Sequence, residues 1–311
     1  MSTSLLRIGT RGSPLALVQA EDVRARIAAA HDLDIAAIEI VVIRTSGDRI
    51  QDRPLSEVGG KGLFTKEIEE ALIEGRIDIA VHSMKDVATR LPDGLEIAAM
   101  LQRADVRDAF LSGVAASLRD LPQGAIVGTS SLRRQAQVLR ARPDLKVIGF
   151  RGNVETRLKK LADGVAHATL LAMAGLGRLG MAGRATSAVA VEDMLPAVAQ
   201  GAVGIEVRSS NTRAMDLVAP LKHSTTELCV TAERAFLARL DGSCRTPIAG
   251  LATLIAGRVH FRGEILTPDG VHAHASERIV GAPDAVPAAE DAAAELLGRA
   301  EPDFFAPGRF S

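Results

Sequence analysis

A chain of 311 residues balances 37 Lys and Arg against 38 Asp and Glu for a net charge of −1, which argues against nucleic acid or an anionic membrane as a partner. Trp and Tyr are absent and aromatics are 3% of the chain, which weakens any stacking platform for single strands. The two cysteines argue for a reducing compartment without a disulfide framework; with no apolar run of ~18 residues and no signal-peptide stretch in MSTSLLRIGTRGSP, a cytoplasmic location is expected.

From the N-terminus to about residue 208, short apolar runs alternate with amphipathic ones. LLRIG (5–9), IEIVVIRT (38–45), IDIAVHS (77–83), LEIAAML (95–101), AIVGT (125–129), KVIGF (146–150), ATLLAM (168–173) and AVGIEVR (202–208) read as buried strands. PLALVQAEDVRARIAAA (14–30) and TKEIEEALIEG (65–75) read as helices between them. The alternation predicts an α/β fold with parallel or mixed sheets covered on both faces. One internal echo stands out. IGTRGSPLALVQA (8–20) and VGTSSLRRQAQVL (127–139) share a plan of strand, Gly-Thr, small polar residues and helix. It hints at two lobes of similar build with equivalent helix N-termini at one cleft. The stretch 46–62 is polar and glycine-rich, as functional loops often are. After residue 220 the texture changes. A helix over 225–240, with Gly242 placed for a left-handed C-cap, leads to a turn displaying Cys244. A hairpin turning at Gly257 and an Ala-rich helix near 286–300 follow.

Helix N-termini offer free N–H groups and partial positive charge. Ser13 before Pro14, and Ser130 or Ser131 before Leu132, suit helix starts. Arg11 precedes one start, and Arg133 and Arg134 fall in the first turn of the other. Cations there oppose the helix dipole, a cost that makes sense when an anion is bound. Arg151 with Arg157, after a strand and the capping residue Asn153, repeats the idea, and Arg178 follows another strand. In open α/β sheets ligands bind at that strand edge, so the set predicts a ligand with several carboxylates or phosphates. Lys85 and Asp86 also lie just past a strand. A carboxylate among cations stays ionised and can steady a cationic intermediate or move a proton.

Other motifs fall away. GLGRLG (175–180) matches the dinucleotide pattern by letter, but Arg178 within it and Gly180 and Gly183 behind it suit a short helix poorly. The acidic residues Glu192 and Asp193 come too soon for a ribose contact. GGKGLFTK (59–66) lacks P-loop spacing, and Cys229, Cys244 and His223 lack zinc spacing. Cys229, on a face with Ala232, Phe236 and Leu240, reads as core. The remaining histidines read as structural or surface residues.

The stretches RIGTRGSPLALVQA, GDRIQDRPLSEVGGKGLFTKEIEEAL, IDIAVHSMKDVATRLPDGL, GTSSLRRQAQVL, RGNVETRLKKL, AGLGRLG, AQGAVGIEVR and ERAFLARLDGSC together resemble porphobilinogen deaminase, also called hydroxymethylbilane synthase. The resemblance implies two periplasmic-binding-protein-like α/β lobes with mixed sheets and a small C-terminal α+β domain. Lobe one would take 1–101 and 202–219, lobe two 107–195, and the third domain 224–311. It implies a transferase that joins four porphobilinogen molecules head to tail with loss of ammonia, on a covalent dipyrromethane cofactor. Cys244 matches the cofactor-anchoring cysteine. Asp86 matches the catalytic carboxylate that steadies positive charge on pyrrole nitrogen. Lys85, Asp86, Thr129, Ser130, Ser131, Arg133, Arg134 and Gln200 match cofactor-contacting positions. Arg11, Ser13, Arg151, Arg157 and Arg178 match substrate-contacting ones, and Lys61 lies in the family's lid. No metal, nucleic acid or membrane is implied, and a monomer is expected. His167, Val106, Ala88 and Ser243 stand where the family often has Asp, Pro, Pro and Gly. A binding protein of the same two-lobed fold is the competing reading, which has no use for a third domain with a displayed thiol.

Overall fold

The computed structural model describes residues 4–49, 64–241, 246–301 and 303–305. In chain order its elements are β1 (Leu6–Thr10), α1 (Pro14–His31), β2 (Ile38–Val42), α2 (Ser46–Arg49), α3 (Lys66–Ile73), β3 (Ile79–Ser83), β4 (Leu95–Met100) and β5 (Asp108–Ser112). There follow β6 (Ile126–Gly128), α4 (Leu132–Ala141), β7 (Lys146–Ile148), α5 (Val154–Ala162), β8 (Ala168–Ala172), α6 (Met173–Arg178), β9 (Ser187–Ala188) and β10 (Val203–Arg208). The chain continues through α7 (Thr212–Val218), α8 (Ser224–Arg239), β11 (Ile248–Ile255), β12 (Arg258–Leu266), β13 (Ala273–Gly281) and α9 (Ala285–Arg299). Every run read as a strand forms one. Three strands escaped the sequence reading: β5, which opens on an aspartate, the two-residue β9, and β13. No helix among the described residues is long and apolar enough to cross a membrane.

The described residues up to 104, with 201–227, form one compact unit; 105–200 and the described residues from 228 onward form another. The first unit holds a five-stranded sheet ordered β2-β1-β3-β10-β4. Strands β2 and β3 run parallel to β1, while β10 runs antiparallel to both β3 and β4. Its core packs Ile8, Ile79, Ile205 and Val207 of the strands against Val23 and Ile27 of α1, as in a sheet covered by helices. The second unit repeats the plan in the order β7-β6-β8-β5-β9. There β7 and β8 are parallel to β6, and β5 is antiparallel to both β8 and β9. So β1–α1 and β6–α4, the two halves of the sequence echo, occupy equivalent places in two sheets of one topology.

The second unit also contains the antiparallel sheet β11-β12-β13, packed with α9. Its hairpin turns at Ala256 and Gly257 with φ of 48° and 76°, the two positive values of a tight two-residue turn. Phe236 of α8 meets Phe261 of β12 at 5.0 Å between ring centroids. The turn between β12 and β13 docks on α4: Gln135 Nε2 donates to Pro268 O at 3.2 Å. At Gly270 (φ +76°) a Cβ would lie 2.7 Å from Arg140 N and against Ala136 O, so only glycine fits that approach. Helix α8 matches the expected span, and Cys229 is buried on it as read. The left-handed residue beyond it is Asp241, φ 48°; Gly242 and Cys244 lie outside the described residues.

Candidate functional site

In the first unit, the segment after β3 is a single 3-10 turn, Met84–Asp86. Met84 is buried, and its N–H donates to Ala202 O at 3.0 Å. Its side chain fills the space above Gly204 of β10, where a Cβ would lie 3.0 Å from Met84 Cγ and against the sulfur. Gln19 of α1 donates from Nε2 to Ser83 Oγ at 2.9 Å. The turn is thus pinned at its start, and it presents an exposed Lys85 and a half-buried Asp86. Asp86 accepts no hydrogen bond among the described residues, so its oxygens are available to a ligand. Nearby in sequence, Ser13 caps α1 by accepting from Ala16 N at 3.4 Å, with Pro14 at the first helical position. The Arg11 guanidinium lies over the Phe64 ring at 4.2 Å.

The second unit carries the equivalent of the β1–α1 turn, between β6 and α4. Thr129 N–H donates to Ile148 O at 3.0 Å, and Thr129 Oγ1 accepts from Ser131 N at 3.2 Å. Ser130 Oγ accepts from Phe150 N at 2.9 Å, and Ser131 caps α4. Arg133 and Arg134, expected as first-turn cations, are only 4% and 5% exposed. Both converge on Asp108 of β5, which is fully buried. Arg134 donates from Nη2 and Nε to Asp108 Oδ1 at 2.7 and 3.2 Å, and from Nη1 to Leu170 O at 2.9 Å. Arg133 Nη1 donates to Leu195 O at 2.9 Å and lies 2.8 Å from Asp108 Oδ2; no donor is aligned on that oxygen, so the contact is ionic. Gln200, also buried, donates from Nε2 to Asp108 Oδ1 at 3.0 Å and Val106 O at 2.8 Å. Burial pushes the Asp108 carboxyl up, but the pull of Arg133 and Arg134 outweighs it and holds the group well below the usual carboxylate range. Burial pushes Arg133 down, against the pull of Asp108.

Two guanidinium charges against Asp108 leave these three side chains with an excess of +1; Glu264, which also acts on Arg133, is pushed by burial toward its neutral form. Arg133 Nε is buried with no hydrogen-bond partner among the described residues. Backbone N–H groups at the start of α4, three hydroxyls and that donor make a set suited to a carboxylate. A ligand with carboxylate arms fits these residues.

Further along, Asn153 caps α5 by accepting from Thr156 N at 2.8 Å. Arg157 Nε donates to Gly152 O at 2.9 Å, and Lys160 Nζ to Arg151 O at 3.0 Å. GLGRLG does not form a phosphate loop. Contrary to the expectation drawn from its glycines, Met173–Arg178 is helical, with Gly175 and Gly177 inside the helix, and Gly180 turns the chain at φ +69°. Arg178 therefore ends a helix and is not the residue just beyond a strand. Lys61 and Cys244 lie outside the described residues.

Among the buried charged groups that sequence reasoning missed, two lie next to the candidate site residues. One is Asp108. The other is the pair His82–Glu206, Nε2 to Oε2 2.8 Å, beneath the Met84–Asp86 turn in the first sheet. Only the histidine within an apolar run could have signalled it.

The family description "Porphobilinogen deaminase, dipyromethane cofactor binding domain" matches residues 6–216. "Porphobilinogen deaminase, C-terminal domain" matches residues 227–298. A porphobilinogen deaminase from Paracoccus denitrificans is 60% identical over 300 residues, covering 96% of each chain. A chloroplastic one from Oryza sativa is 54% identical over 97% of this chain and 86% of its own. Among solved structures, a periplasmic substrate-binding protein of an ABC transporter from Coxiella burnetii aligns over 74% of this chain and 95% of its own, at 16% identity and a TM-score of 0.44.

Proposed function

The chain belongs to the porphobilinogen deaminase family, and from that premise we propose how its own residues divide the work. It is a transferase of tetrapyrrole biosynthesis, joining four porphobilinogen units head to tail into hydroxymethylbilane with release of four ammonia. The dipyrromethane, when bound, supplies the primer ring that the first substrate joins. Cys244 anchors it through a thioether. Arg133, Thr129, Ser130, Ser131 and Lys85 hold its carboxylate arms, with Arg134 and Gln200 fixed behind them on Asp108. Arg11, Ser13, Arg151, Arg157 and Arg178 bind the acidic arms of incoming substrate.

Asp86 is the catalytic group. Loss of ammonia from an aminomethyl pyrrole leaves positive charge on the ring nitrogen. A carboxylate at the ring N–H steadies that charge and can take or return a proton there. The observation that carries this assignment is the Asp86 carboxylate, which accepts no hydrogen bond among the described residues, on a turn locked by Met84 and Gly204. The assignment of 1–101 with 202–219, 107–195 and 224–311 to three domains belongs to the same reading, and the division into three sheets supports it. So do a monomeric state and, supported by the net charge of −1 and only two cysteines, a cytoplasmic location with no nucleic-acid or membrane partner.

Intact-protein mass tests the reading. The wild type should carry an excess of two porphobilinogens less two ammonias, absent from Cys244→Ser. Turnover by wild-type protein with nothing on Cys244 would overturn it.

A further inference from the structure

We propose that Asp108 is a positioning residue for cofactor capture: its buried carboxylate fixes both guanidinia so that the Nε–H of Arg133 stays presented to a cofactor carboxylate. The inference rests on the function proposed above.

The geometry assigns the two arginines different tasks. All three nitrogens of Arg134 are engaged by the protein, two on Asp108 Oδ1 and one on Leu170 O. Arg133 is held at one end only, Nη1 between Leu195 O and Asp108 Oδ2, with Nε unpartnered among the described residues. Leu195 is itself held by Gln137, one turn along α4: its N–H donates to Gln137 Oε1 at 2.8 Å, and Gln137 Nε2 donates to its carbonyl at 3.0 Å. Gln200 closes the ring on Asp108 Oδ1. Asp108 thus accepts hydrogen bonds from Arg134 and Gln200 and pairs ionically with Arg133, and it sits at the start of a strand whose backbone is paired on both edges.

Charge gives the second argument. Buried charge is costly unless compensated. Asp108 neutralises one of the two guanidinia and leaves one charge for an anion to match. Without Asp108 the pair would repel, the guanidinia would reorient toward water, and the remaining excess would no longer match a single carboxylate. With a neutral residue in place of Arg134 the excess would vanish. Asp108 therefore tunes both the direction and the size of the attraction, although nothing requires it to touch the ligand.

The test uses full-length protein and reads adduct occupancy on Cys244 by intact mass, alongside melting temperature and steady-state kinetics. Asp108→Asn should fold, with the fraction bearing the adduct lowered by about tenfold to a hundredfold. Asp108→Glu should restore part of it. In the adduct-bearing fraction, kcat should change less than KM, a split that simple loss of stability would not produce. Folded Asp108→Asn with wild-type occupancy and KM overturns the inference. If Asp108→Asn does not fold, Asp108→Glu decides. It keeps the charge but moves the carboxylate, so folded protein with lowered occupancy supports the inference and wild-type occupancy and KM overturn it. A wild type with no Cys244 adduct would instead overturn the underlying functional reading, and this inference with it.

Discussion

Glu233 Oε2 accepts the backbone N–H of Ala199 at 2.7 Å, and Ala199 holds a left-handed φ of 60°. The other oxygen, Oε1, accepts from Ala252 N at 2.8 Å. One fully buried carboxylate on α8 thus ties the segment ahead of Gln200 to strand β11. Glu233→Gln replaces one acceptor with an NH2 group that faces a backbone donor, leaving a buried N–H unmet. The expected cost is about 1–3 kcal/mol, seen as a lower melting temperature. Ala199→Gly should go the other way. Relief of the left-handed strain, about 1–2 kcal/mol, outweighs glycine's added chain entropy of about 0.5–1 kcal/mol. A melting temperature that falls in Ala199→Gly would show that φ here is unstrained.

Asp86→Ala should leave the fold and the covalent adduct in place and lower kcat by about a hundredfold to a thousandfold. Asp86 makes no hydrogen bond among the described residues, so its removal leaves no protein donor stranded. Calorimetry should therefore show little change in melting temperature, while single-turnover assays show the loss. Near-normal turnover would remove Asp86 from the chemistry.

Much of the fold was legible in the sequence because buried strands in a two-faced sheet read as continuous apolar runs. The echo of GTRGSP and GTSSLRR was legible because equivalent strand-to-helix turns face equivalent demands, and the shared sheet order bears it out. Strand β5 was not legible. It opens on Asp108 after a charged stretch, and an aspartate before three apolar residues reads as a boundary. The ion cluster escaped for the same reason: its partners are 26 positions apart in sequence. Arg133 and Arg134 read as first-turn cations with their burial unforeseen, since nothing local distinguishes a buried guanidinium from a solvated one. GLGRLG misled because helix propensity predicts against its glycines, and packing of Leu176 into the core overrides that.

Gly270→Ala should be among the most damaging single-methyl changes in the second unit. The new Cβ would meet the α4 backbone at Arg140 N and Ala136 O, neither of which can swing aside. Left-handed strain and overpacking together predict a loss of about 2–4 kcal/mol. Gly257→Ala is the control: φ is again +76°, but nothing lies within 4 Å, so only the strain of about 1–2 kcal/mol applies. Hydrogen exchange should speed up in α4 and the 267–272 turn for Gly270→Ala alone. Equal effects of the two changes would mean that the docking on α4 contributes nothing.

Glu69 of α3 sets a pH dependence in the first unit. Burial pushes its carboxyl up, and the neighbouring Glu206 and Glu70 add to this, against the pull of Thr65 and His82. The folded state therefore holds the proton more tightly than the unfolded chain, where the carboxyl titrates at about 4.3. Above its raised folded value, ionised Glu69 costs stability; as pH falls from there toward the unfolded value, that cost is recovered. Glu69→Gln keeps the shape without the charge, so it should melt higher than wild type at pH 7.5. The gap should close as pH approaches about 4.3. Melting curves of both proteins across this range check the sign. A variant that melts lower at pH 7.5, or a gap that does not change with pH, would mean that the buried charge of Glu69 is fully compensated by His82.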